Sequence, residues 1–187
     1  MTLTVRYLPW IVLLFLLSFQ PQAFAFSKNP LDVTLPEVEL MPGAQWYWVG
    51  QRMALNGVPM SIKMFTWRGN SEELIKFYRS AWKVRGHGKI RENKLGSKVI
   101  LGYELDGFYY SVQLDVSSPV VQGKAVVTPT PSRYKSSKKS LLPVPPRSTV
   151  HSKVESLDAG RQEETLSVDS RFDVSYIVDF YKNQLLT

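Results

Sequence analysis

Residues 46–67 read WYWVGQRMALNGVPMSIKMFTW, and this stretch decides the fold. Asn56-Gly57 is a strong hairpin signal, because both central positions of a type I′ turn need positive φ and these two residues accept it at little cost. Trp46–Leu55 and Val58–Trp67 on either side are rich in aromatic and aliphatic residues and read as strands. Pro59 has no N–H to give to a ladder, so its place near the start of the second strand predicts an edge position.

The next segment supplies the cover for this hairpin. Asn70 is a candidate N-cap, and Glu73 follows it at capping-box spacing. At 100° per residue, Leu74, Ile75, Phe77, Tyr78, Ala81 and Trp82 share one arc, while Lys76, Arg79, Ser80 and Lys83 take the remainder. The spacing predicts a helix with one face on a sheet and the other in water, ended by Gly86 and Gly88. Val99, Leu101, Tyr103 and Leu105 then alternate up to the turn Asp106-Gly107, and Phe108, Tyr110, Val112, Leu114 and Val116 alternate after it. Lys124–Thr128 adds a short fifth strand. Residues 46–128 are therefore expected to form a ββαββ unit of the α+β class, an antiparallel sheet with its helix on one face.

Outward from this unit the chain changes character. Residues 1–25 read as a signal peptide: Arg6 is the n-region charge, Trp10–Phe19 the apolar run, and Ala23-Phe24-Ala25 the small-x-small site, with cleavage expected after Ala25. The apolar run is about half the roughly 20 residues a membrane span needs. The chain is accordingly expected in a bacterial periplasm, without a transmembrane anchor after cleavage. Residues 26–45 form an arm broken by Pro30, Pro36 and Pro42. Residues 129–149 hold five prolines together with Arg133, Lys135, Lys138, Lys139 and Arg147 and no acid, and read as a basic linker.

Residues 150–187 look like part of the first unit again. At an offset of 103 residues, Gly57 meets Gly160, Arg68 meets Arg171, Phe77 meets Phe180 and Tyr78 meets Tyr181, with Asp173 near the capping position of Asn70. This predicts a partial second ββα repeat that lacks the strands following the first helix. Three explanations stand open: the chain is truncated after Thr187, the second unit docks on the first, or another protein donates the missing strands.

Composition excludes several chemistries. The 187 residues carry a formal net charge of +7 and no cysteine, so there is no disulfide, thiolate metal site, cysteine nucleophile or lipid-modified cysteine. The positive charge concentrates in Lys83–Lys98 and in the linker. His87 and His151 read as exposed loop histidines, and no metal site or cofactor is expected. No Gly-x-Ser-x-Gly elbow occurs, and Gly86-His87-Gly88-Lys89 follows a helix, whereas a phosphate cradle precedes one.

The aromatic cluster Trp46-Tyr47-Trp48 is the better functional lead, because alternation sends both tryptophans to one face. Buried, they are core; exposed, they are a binding platform for a protein or a glycan. Arg133, Lys135, Lys138 and Lys139 are candidates for contact with an anionic lipid or glycan surface. Nucleic acid is not expected, since stacking aromatics do not interleave with the basic residues.

The helix pattern Leu/Ile-x-x-Phe-Tyr-x-x-x-Trp/Leu, present at Leu74–Trp82 and at Ile177–Leu185, resembles units of uncharacterised exported bacterial proteins. The resemblance implies an envelope location and a duplicated architecture, and it implies no activity. The expected function is a non-catalytic binding or accessory module, engaging proteins of a secretion or pilus system. An envelope hydrolase or glycan-processing enzyme and a binder of anionic envelope surfaces are the alternatives.

Overall fold

The computed structural model describes residues 29–86, 88–131 and 140–185. Eight strands form one antiparallel sheet: β1 (Gln45–Leu55), β2 (Val58–Arg68), β3 (Arg91–Leu95), β4 (Lys98–Leu105), β5 (Phe108–Asp115), β6 (Val120–Pro129), β7 (Ser148–Asp158) and β8 (Arg161–Ser170). Their spatial order is β3-β4-β5-β6-β2-β1-β7-β8. Helix α1 (Ser71–Arg85) follows β2 and helix α2 (Val174–Leu185) follows β8, so the α+β class and the antiparallel sheet stand as expected.

The two predicted turns form where their residues allow positive φ. Asn56 and Gly57 sit at φ 51° and 75°, and Asp106 and Gly107 at 51° and 75°. Asn70 caps α1 by accepting the Glu72 N–H at 2.9 Å. The helix then buries Leu74, Ile75, Tyr78 and Trp82 against one face of β2, β6, β5 and β4. The Trp82 ring stacks on Tyr103 of β4 at 5.4 Å and 11°. Gly123 of β6 makes room for Phe65, because a Cβ there would lie 2.0 Å from the ring. Val38 brings the N-terminal arm into the same core.

Three expectations change. Four strands follow α1, because Arg91–Leu95 pairs with β4 as strand β3. Its five residues, Arg-Glu-Asn-Lys-Leu, are all exposed and show no apolar alternation, so backbone pairing alone defines it, and its charges suit an edge. The fifth strand predicted at Lys124–Thr128 is the ten-residue β6, which takes in Pro129 from the segment read as linker. Pro59 lies in an interior strand: β2 pairs with β1 throughout, but its ladder with β6 begins only at Ser61. The proline therefore interrupts no recorded pairing on that side.

The C-terminal elements repeat the starting points of the first ones. β7, β8 and α2 begin at Ser148, Arg161 and Val174, each 103 residues after the start of β1, β2 and α1. Ala159 and Gly160 take the turn at φ 46° and 79°. Asp173 accepts the Tyr176 N–H at 2.9 Å, and that bond, with one from the Ser175 hydroxyl, holds its carboxyl below the usual range. The surroundings differ. β7 meets β1 only at Met53–Leu55, paired with Val154–Ser156, and β8 pairs with β7 alone. No residue of α2 is fully buried.

Candidate binding surface

Register builds the aromatic site. Trp46 faces Phe65 and Trp48 faces Lys63 across the β1–β2 ladder, so both tryptophans project on the α1 side of the sheet. Their rings meet edge to face at 5.9 Å and 87°. Lys63 lies beneath them with its Nζ 4.5 Å from the Trp46 ring centroid and 4.3 Å from that of Trp48. The same ammonium reaches Glu37 Oε2 of the arm at 2.6 Å. A desolvated cation held by two indole faces contributes about 1–2 kcal/mol. The lysine is buried, so the pair of rings is fixed from below and from the side.

The upper surface of this cluster is open. Trp46 is 49% exposed and Trp48 is half-buried. Tyr47, on the opposite face, is 62% exposed, and Val49 follows it at 51%. Beside Trp46, a cavity of about 270 Å³ is lined by Glu37, Glu39, Leu40, Lys63 and Arg85 among others. The Arg85 guanidinium pairs there with the Glu39 carboxylate. The site thus presents one apolar ring system between an acidic arm and a basic helix end.

The backbone is open as well. β7 reaches β1 only from Met53 onward, so among the described residues Gln45–Arg52 has a strand partner on the β2 side alone. Register shifts at Trp48/Gly50 and Gly50/Met53 kink this half-strand, the usual way an unpaired edge is blunted. Arg52 ties it to the arm through the Leu31 carbonyl at 2.7 Å and Asp32 at 3.3 Å.

A second cluster lies at the seam between the two hairpins. Lys153 Nζ is 3.0 Å from Glu155 Oε2, with the two side chains only 5% and 7% exposed. Glu164 faces Glu155 across the β7–β8 ladder. Burial opposes its ionisation, but the Ser140 hydroxyl, the Leu141 and Leu142 N–H groups and nearby Lys153 outweigh that and hold its pKa below the usual range. A cavity of about 460 Å³ opens above, lined by Asn56, Leu142, Val150, His151, Lys153 and Leu166 among others. His151 belongs to strand β7 and not to a loop, but it is exposed and 3.7 Å from Asp169. Glu155, four residues on, is turned inward to Lys153, so the two do not converge. Among the described residues no group of His, Asp or Glu side chains could hold a metal ion.

Trp46 and Trp48 therefore come together. Arg133, Lys135, Lys138, Lys139 and His87 lie outside the described residues. Sequence reading missed Lys63 and Glu37, although one signal was present: a lysine at an inward position between Ser61 and Phe65 needs a partner. No helix among the described residues is long and apolar enough to cross a membrane. Compared with protein families, curated proteins and solved structures, the chain matches none.

Proposed function

We propose that the protein is a non-catalytic binding module of the bacterial envelope, exported by residues 1–25, which grips a partner protein along the first half of β1. The carrying observation is the coincidence of a partly exposed tryptophan pair, clamped over a buried lysine, with a half-strand that among the described residues has a strand partner on one side only. Rigid aromatic side chains bind with little loss of freedom, and an open edge supplies main-chain hydrogen bonds to an extended segment. Components of a secretion or pilus system are the partner class in view. The architecture is one unit in which α1 buries Leu74, Ile75, Tyr78 and Trp82, followed by a partial ββα repeat at the 103-residue offset.

Affinity purification of the tagged protein from envelope extracts tests this, with wild type and a Trp46→Ala/Trp48→Ala variant run side by side. A partner retained by wild type should fall at least about tenfold in the variant, as expected for losing about 1.4 kcal/mol or more at a hot spot. Equal recovery of the same partners by a folded variant would refute the reading.

A further inference from the structure

Among the described residues strand β8 pairs with β7 alone, and α2 after it leaves a flank exposed. On β8, Glu164, Leu166, Val168 and Ser170 are half-covered, whereas Arg161, Glu163, Thr165, Ser167 and Asp169 are exposed. The half-covered set shares the α1 side of the sheet, because Glu164 faces Glu155 and Glu155 faces Ala54, which pairs with buried Pro59. Helix α2 half-buries Ile177, Phe180 and Tyr181 but leaves Val174, Val178 and Leu185 at 79%, 43% and 54% exposure. At the 103-residue offset, Val178 and Leu185 correspond to Ile75 and Trp82. Those two are buried, with Trp82 reaching Tyr103 in a strand beyond β2. The open flank of α2 therefore faces outward past the edge of β8.

The geometry points to a second copy of this chain as the occupant: two β8 strands pair antiparallel about a two-fold axis at Thr165, and the two α2 helices meet above the joined sheet. Edge chemistry selects this register. In a two-residue hairpin the closing pair, here Asp158 and Arg161, is hydrogen-bonded, so odd-numbered residues of β8 direct their N–H and C=O to β7 and even-numbered ones outward. A symmetric partner must match even with even. Centring on Glu164 sets that carboxylate against its own copy. Centring on Leu166 sets Glu163 against Asp169 and Arg161 against Arg171. Centring on Thr165 sets Arg161 against Asp169 twice, once on each side of the axis, and leaves no like charges opposed; centring on Ser167 also opposes no like charges but pairs only residues 164–170 of the strand, against 161–169 here. Both side chains project from the exposed face of β8, where Asp169 also lies 3.7 Å from His151 of β7. The other free edge, β3, has half the length of β8, and pairing it with β8 would propagate an open fibre instead of a closed dimer.

The chain has no cysteine, which makes the test direct. In the full-length protein, Thr165→Cys should oxidise to a disulfide-linked dimer. Opposed residues of a non-hydrogen-bonded pair lie about 4.5 Å apart at Cα, within disulfide reach. Ser167→Cys should stay monomeric under the same oxidation, since its own copy lies about 14 Å away at about 3.4 Å per residue. By sedimentation equilibrium, Arg161→Asp and Asp169→Arg should each weaken the dimer about tenfold, and the double exchange should restore it. A wild-type monomer at all concentrations would overturn the proposal. Equal cross-linking at residues 165 and 167, or single exchanges without effect, would overturn it too. Trp46→Ala should leave the dimer intact, so failure here and failure of the partner reading are separable.

Discussion

The β1–β2–α1 and β7–β8–α2 segments share element starts, turn positions and capping positions, yet one is sealed and the other is open. Helix α1 buries Leu74, Ile75, Tyr78 and Trp82, while α2, with Ile177, Val178, Tyr181 and Leu185 at those positions, buries none fully. The helices are alike in pattern; what differs is the sheet beneath. β2 has β6, β5 and β4 beyond it, and among the described residues β8 has no further strand beyond it. An amphipathic helix thus reports a need for apolar cover, and only topology decides whether that need is met within the chain.

The largest expected contrast comes from truncating equivalent helix positions. Trp82→Ala should cost about 3–5 kcal/mol in denaturant unfolding, because it empties the stack on Tyr103. Leu185→Ala, at the equivalent place in α2, should stay within about 0.5 kcal/mol for the monomer. A comparable loss at both would erase the distinction between sealed and open units.

Next comes the buried ion pair. Lys153→Met leaves Glu155 buried without its countercharge and should destabilise by about 3 kcal/mol. Adding Glu155→Leu should recover most of that loss, since an apolar pair of similar volume suits the same space. Recovery would show that the loss in the single variant comes from one unpaired buried charge, and that apolar contact can hold this end of the sheet as it holds the first unit.

The turns provide a smaller test. Asn56 and Ala159 occupy the same left-handed position, at φ 51° and 46°, where a β-carbon is disfavoured and asparagine is tolerated. Ala159→Asn should raise stability by about 0.5–1 kcal/mol, measured as a shift in unfolding midpoint. The smallest effect concerns pH. Glu164 has a folded pKa below its unfolded value, so its contribution is present above the unfolded value and fades as pH falls through the folded one. The Leu141 and Leu142 amide resonances should titrate in that acid window, below about 4.3. Glu164→Gln should abolish their titration.

What could be read in advance follows a physical line. Asn56-Gly57, Asp106-Gly107 and Asn70 act through their own backbone neighbourhood, and their turns and cap are found where the residues place them. The alternation of Val99–Leu105 and Phe108–Leu114 likewise reflects one buried face. Strand β3 was illegible because charged Arg91, Glu92 and Lys94 carry no period, and only the neighbouring edge of β4 recruits them. The clamp on Trp46 and Trp48 needed the register that sets Lys63 opposite Trp48 and an arm residue, Glu37, lying 26 positions before that lysine. The Lys153–Glu155 pair lay in the segment read as a partial ββα repeat, where nothing local says that burial awaits these charges.

The three-residue ladder between Met53–Leu55 and Val154–Ser156 is the narrowest waist of the sheet. Its reinforcement is local: Asn56 N–H donates to the Lys153 carbonyl at 2.8 Å, and Asn56 Oδ1 accepts the Lys153 N–H at 2.9 Å. Mechanically this makes Asn56 the rivet of a cantilever. Load applied to the C-terminal hairpin concentrates on a few hydrogen bonds in one short zone, while the aromatic slab under α1 bears almost none of it.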